Sequence, residues 1–267
     1  MLISPKPFVM SKLISFSLTF LVLAFSTTSI AFAQDAEAII KKASDSIGGE
    51  RYLKVTTQVG RGRFSLLKDG IVASSQTFID VIVFPDKERT EFKGRGTKFV
   101  QTNVGSNGWV FDGDQELIKV QNETQVENFQ RGMRVSLDTL LRGTWRGKAE
   151  LTYAGRRPST LGKRNDVVRL KYNDGLTIEF EFADDGTPMK ASYKRTNSDG
   201  EEVTEEDRYA QWVDVGGIRT PYIVDRFTNG KPTSRINYET IEFNVRVPES
   251  IFDKPSNPKE LKKDLKF

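Results

Sequence analysis

The 267-residue chain contains no cysteine and no histidine. The first absence excludes disulfides, cysteine nucleophiles and a lipidated amino-terminal cysteine. The second, added to the first, removes the usual zinc ligands and the Ser-His-Asp relay. An enzyme built from this sequence would have to work with carboxylates, lysine or tyrosine, and no motif organises them. Asp184-Asp185 and Glu205-Glu206-Asp207 fall in turn-like or polar stretches and read as solvated surface charge. No catalytic residue, cofactor or metal is therefore expected. A strong charge of one sign is also missing. The 40 Lys and Arg against 36 Asp and Glu leave +4 with both signs interspersed, which argues against a nucleic-acid partner. Two basic regions stand out locally: Arg131, Arg134, Arg142, Arg146 and Lys148, and Lys254, Lys259, Lys262, Lys263 and Lys266. Each reads first as a solvated face.

Long apolar runs are lacking except at the start. Lys6 and Lys12 precede an apolar stretch over 13–25, and Ala31-Phe32-Ala33 follows a short polar segment. This is the pattern of a Sec-type export signal with cleavage after Ala33. The alternative, an uncleaved anchor, is disfavoured because the apolar core falls short of the roughly 18–20 residues of a span. No later segment approaches that length, so no permanent membrane span is expected. The expected organisation is a signal peptide over 1–33, one domain over 34–255 and a basic tail over 256–267.

A helical period opens the mature chain, with Ile39, Ala43 and Ile47 on one stripe and Gly48-Gly49 as its stop. Strand patterns then dominate. The first runs over 56–67 and holds Gly60 and Gly62, which signal a bulge or a close backbone approach. Further strands are expected over 75–84, 89–93, 97–104, 109–111 and 116–120, separated by Gly, Asp and Asn turns. In the second, Asp80 interrupts an otherwise apolar face made by Phe78, Ile82 and Phe84. The period becomes helical over 123–141, giving one amphipathic helix or two with a kink at Gly132. Strands resume over 149–154, 167–172, 176–182, 188–196, 203–213, 220–228 and 233–243. Phe252, set between prolines, reads as a plug on the barrel end. Asn257 and Pro258 would cap a short final helix. Hairpins at this spacing make a meander, and a sheet this wide must curl. The fold class expected is mainly β: a strongly curved antiparallel meander forming an incomplete barrel, with an N-terminal helix and a helical insert covering the concave face.

This order of elements resembles the LolA/LolB-like superfamily of periplasmic lipoprotein carriers. Residues 82–89 (IVFPDKER) resemble its strand running through a proline turn. Residues 104–111 (VGSNGWVF) resemble its turn into an aromatic strand. The segments 216–221 and 244–255 resemble its closing strands, and the helix over 123–141 falls where the family carries lid helices. The resemblance implies a periplasmic, non-enzymatic protein that holds a lipid or lipoprotein acyl chain in an apolar cavity. It also implies inner- and outer-membrane transport components as partners. The carriers' cavity-mouth arginine would be Arg61 or Arg63, unless both are ordinary outward-facing strand residues.

The chain is rich in phenylalanine, with 18, and many fall on strand faces. The candidate cavity residues are Phe64, Phe78, Ile82, Phe84, Phe99, Trp109, Phe111, Phe129, Met133, Leu137, Leu140 and Phe180. Two other readings stand beside the carrier. One is an envelope interaction module with a filled core. The other is an exported hydrolase, which would need two acidic side chains converging in a cleft.

Overall fold

A computed structural model describes residues 35–160, 162–263 and 265. The expected export signal lies outside the described residues. Helix α1 (35–46) comes first, followed by the single turn α2 (Glu50–Leu53). Six strands follow: β1 (Thr57–Lys68), β2 (Ile71–Val83), β3 (Lys87–Gly94), β4 (Thr97–Val104), β5 (Asn107–Asp112) and β6 (Leu117–Val120). Two helices then interrupt the strands, α3 (Glu123–Val135) and α4 (Leu137–Leu141). Seven more strands complete the meander: β7 (Ala149–Pro158), β8 (Arg164–Tyr172), β9 (Thr177–Phe182), β10 (Pro188–Thr196), β11 (Glu202–Val215), β12 (Ile218–Thr228) and β13 (Lys231–Phe243).

All thirteen strands form one antiparallel sheet in the order β6-β5-β4-β3-β2-β1-β13-β12-β11-β10-β9-β8-β7. Every hairpin pairs with its sequence neighbour, and β1 joins β13 to close the two halves together. Strands β6 and β7 remain as edges, so the curved sheet is an incomplete barrel. Gly60 and Gly62 explain the central seam. The register shifts between Arg61 and Gly62. A Cβ at Gly62 would stand 2.1 Å from the Asn237 carbonyl oxygen, and one at Gly60 would stand 2.5 Å from the Tyr238 ring.

The main core lies on the concave face. Alternate residues of β7 to β10, among them Leu151, Val168, Leu170, Ile178 and Phe180, pack against Ile40 and Ala43 of α1, against Ile47 just past it, and against Leu140 and Leu141 of α4. The helical insert breaks at Ser136, not at Gly132. Ser136 is extended (ψ 149°), and its side chain accepts a hydrogen bond from the Thr139 amide, so it starts a new helix. Asn122 and Gln125 form a reciprocal capping box at the start of α3.

The C-terminal segment crosses the outer face of β1 to β5 in two 3₁₀ turns, Glu249–Phe252 and Pro258–Lys262. Phe252 packs there on Val59 and Val81, so it does not plug the barrel end. Leu261 lies buried on Val100, Trp109 and Phe111. The Trp109 indole donates to the Phe252 carbonyl at 2.9 Å. Beneath this strap Glu91, 2% exposed, bridges Arg89 at 2.5 Å and Lys98 at 2.6 Å. The strap supplies further acceptors: Arg89 donates to the Ile251 carbonyl and Lys98 to that of Lys263. These bonds offset part of the cost of burying the charges, although the buried Arg89 Nε has no hydrogen-bond partner in the protein.

Candidate functional site

A cavity of about 430 Å³ lies on the concave face, between the sheet and the helices. That volume is within the range of small-molecule sites. Its apolar wall draws on both halves of the meander: Ile82 from β2, Tyr209 and Trp212 from β11, Val224 from β12, and Ile236, Tyr238 and Phe243 from β13. Ile47 just past α1, Tyr52 of α2 and Val135 and Leu137 of the insert face them. The lining is not wholly apolar. Asp138, Arg142, Glu205, Asp207, Arg219 and Arg226 also contribute, which makes the cavity amphipathic.

Arg142 holds α4 over this space. Its guanidinium lies 3.8 Å from the Phe84 ring centre and 4.7 Å from that of Tyr52. It donates to Asp138 at 3.2 Å and to the Val55 carbonyl at 3.0 Å. The Tyr52 hydroxyl donates to the same carboxylate at 2.6 Å. Burial, and then the Asp138 charge, raise the Tyr52 phenol well above its ordinary pKa, so it stays a neutral donor. Arg134 makes a second tie between the insert and the sheet. It stacks 4.2 Å over the Tyr172 ring and pairs with Asp174 at 2.7 Å.

The inward positions of the central strands carry carboxyls. Thr90 donates to Asp80 at 2.7 Å and lies 3.4 Å from Glu88. Burial raises Asp80 well above the usual carboxylate range, and the neighbouring Glu88 raises it further. Burial also raises Glu88 and Asp207, against the pull of Arg226 on both. The Arg226–Asp207 contact is loose at 3.6 Å. Two acidic side chains thus do converge, as a carboxylate hydrolase would need. Neither Asp80 nor Glu88 lines the cavity, however, and Asp80 is only 8% exposed. Among the described residues no group of three or more acidic side chains is arranged to hold a metal ion.

The structure distributes the twelve sequence candidates over several places. Ile82 and Leu137 line the cavity. Phe78 packs edge-on to Tyr238 at 5.3 Å and so backs the cavity wall, with Phe92 and Phe64 extending the aromatic cluster. Phe84 carries Arg142 and packs on the main core. Leu140 and Phe180 are fully buried in that core. Phe129 and Met133 border a second, more open groove beside Pro85 and Tyr172. Phe99 is paired with Phe92 across β3 and β4 and remains exposed. Trp109 and Phe111 lie on the opposite face, under the C-terminal strap. Strand alternation places them there: Phe111 pairs with Val100, and Val100 with Glu91, all on the outer side. Arg61 and Arg63 also face outward, paired with Glu242 at 2.6 Å and Glu239 at 3.6 Å, and neither lines the cavity.

Sequence reasoning missed Tyr209, Trp212, Ile236, Tyr238 and Arg226. Their strands carry charged residues on both faces, which masks the alternation. A signal was present in Glu205, Asp207 and Tyr209, spaced by two, but it read as surface charge.

A curved antiparallel sheet open at two edges, with a cavity under inserted helices, defines a class of half-barrel folds. The solved structures place the fold within it. The chain is similar to an outer membrane lipoprotein-sorting protein domain from Vibrio parahaemolyticus, at 12% identity and a TM-score of 0.55 over 86% of this chain and 100% of that one. It is similar to a LolA superfamily protein from Nitrosomonas europaea, at 14% identity and a TM-score of 0.54 over 82% of this chain and 97% of that one. No family model and no curated protein matches the sequence. The chain has a LolA-like fold. No helix among the described residues is long and apolar enough to cross a membrane.

Proposed function

We propose that this protein is a periplasmic, non-enzymatic carrier that holds a lipid or a lipoprotein acyl chain in its concave cavity, in the service of outer-membrane lipoprotein or lipid sorting. The observation that carries this reading is the 430 Å³ cavity left between the sheet and the helical elements, lined by Ile47 just past α1, Tyr52 of α2, Val135 of α3 and Leu137 of α4. An envelope module with a filled core would have no use for it. Each methylene that enters such a space gains about 0.8 kcal/mol. The polar groups suit the head of an amphiphile. Trp212, which lines the cavity, has a buried indole N–H without an acceptor in the protein, a donor suited to an ester or amide carbonyl. Export with cleavage after Ala33 would deliver the chain to the periplasm, where inner- and outer-membrane components would load and unload it.

Native mass spectrometry of protein purified from its own periplasm, with lipid extraction, tests this. The expected result is a stoichiometric lipid or acylated protein on a chain beginning at Gln34. Substituting Leu137→Asp at the wall should strip that mass while circular dichroism stays unchanged. An apo mass that no hydrophobic probe alters would refute the carrier.

A further inference from the structure

The β1–β2 hairpin ends beyond its neighbours. Strand β3 pairs with β2 only from Thr77, opposite Lys93, so the stretch from Ile71 to Gln76 has β1 on one side and no β3 partner on the other. On the far side the β12–β13 hairpin rises with it, with Ser234 opposite Leu66. The tip carries large apolar side chains in the open: Ile71 is 72% exposed, Val72 57% and Leu66 47%. A Cβ at Gly70 would meet nothing within 4 Å. Such an unpaired, apolar strand end is a liability that proteins ordinarily blunt. Nothing in the fold needs these side chains there, since they touch no core cluster.

The charge around the tip is uneven. Lys68 at the end of β1 and Lys231 at the start of β13 are exposed beside the tip, and neither enters an ion pair among the described residues. Asp69 is the acidic residue at the turn itself. Three protruding side chains are too few for a protein partner, which needs about 800 Å² on each side. They are enough for an interfacial anchor, where a few apolar groups enter the acyl boundary and cations meet anionic headgroups.

We infer that the β1–β2 hairpin tip docks this protein reversibly on an anionic lipid bilayer, with Ile71, Val72 and Leu66 entering the interface and Lys68 and Lys231 facing the headgroups. The inference does not depend on what the cavity holds.

Sedimentation with vesicles of phosphatidylcholine, with and without phosphatidylglycerol, tests it on the mature chain. The protein should pellet with the anionic vesicles and release with added salt. Ile71→Ser with Val72→Ser, and separately Lys68→Gln with Lys231→Gln, should each weaken partitioning about fivefold or more. A Val72→Trp variant should show a blue-shifted emission on the anionic vesicles alone. The exposure of these positions predicts unchanged melting for all three. Absence of vesicle binding by the natural chain, or equal binding by the variants, overturns the inference. So does a dimer in light scattering that the Ile71→Ser/Val72→Ser change makes monomeric, because the tip would then serve a second copy of the chain.

Discussion

Asp80 shows how a single residue can announce an inner face. In the sequence it broke the apolar row of Phe78, Ile82 and Phe84, and in the structure it sits on that row, buried, with Thr90 as donor. The position was legible because strand alternation is strict. Its partner was not, since Glu88 meets it from the next strand. Asp80 and Glu88 keep a proton to higher pH folded than unfolded. The folded state therefore binds more protons across that window, and stability falls as pH rises through it. Asp80→Asn keeps an acceptor for Thr90 without the charge. It should raise the melting temperature at pH 7.5 by about 2 °C or more, and the gain should shrink toward zero near pH 4. Calorimetry at both pH values decides this, and an equal gain at each would show that burial of charge is not the cause.

At the level of elements, the helical insert and the C-terminal strap part company. The insert was legible from its 3.6-residue period, and its break was misplaced because Gly132 is a weak helix former that nonetheless stays helical, whereas Ser136 is a cap. Asn257 and Pro258 correctly announced the last turn, with Asn257 accepting from the Lys259 amide at 3.0 Å. Where the strap lands could not be read, because Phe252 and Leu261 stand in a segment with no period and their pockets are made by distant strands. Removing residues 249–267 would bare Val100, Trp109 and the Arg89–Glu91–Lys98 network. The loss of Phe252 and Leu261 alone amounts to roughly 3–5 kcal/mol. Urea unfolding should show that loss, with a red-shifted tryptophan emission in the native state. An unchanged midpoint would mean the strap is an ornament of the fold.

The whole molecule turns on one seam. Thirteen strands follow sequence order outward from β1 and back inward to β13, so among the described residues only the β1–β13 ladder joins the two halves of the sheet. The meander itself was legible from its turns, and Gly60 and Gly62 marked the place of close approach. The pairing of the first strand with the last was not legible, because hairpin signals describe neighbours alone. A methyl at Gly62 would collide with the Asn237 backbone, which cannot yield as a side chain would. Gly62→Ala should cost about 2–3 kcal/mol or more in urea unfolding. Gly132→Ala, at a helical site with open space, should be neutral or stabilising. Equal effects would show that the seam tolerates a side chain.

The same seam sets an order in time. A chain made from its amino terminus presents β1 long before β13 exists, so the open edge of β1 must wait for that final partner while β7 to β12 pair with their own neighbours. Until the last hairpin arrives, the growing protein is two unjoined ribbons with β1 offering a bare edge, and a nascent chain in that state is one that escorting factors would be expected to hold.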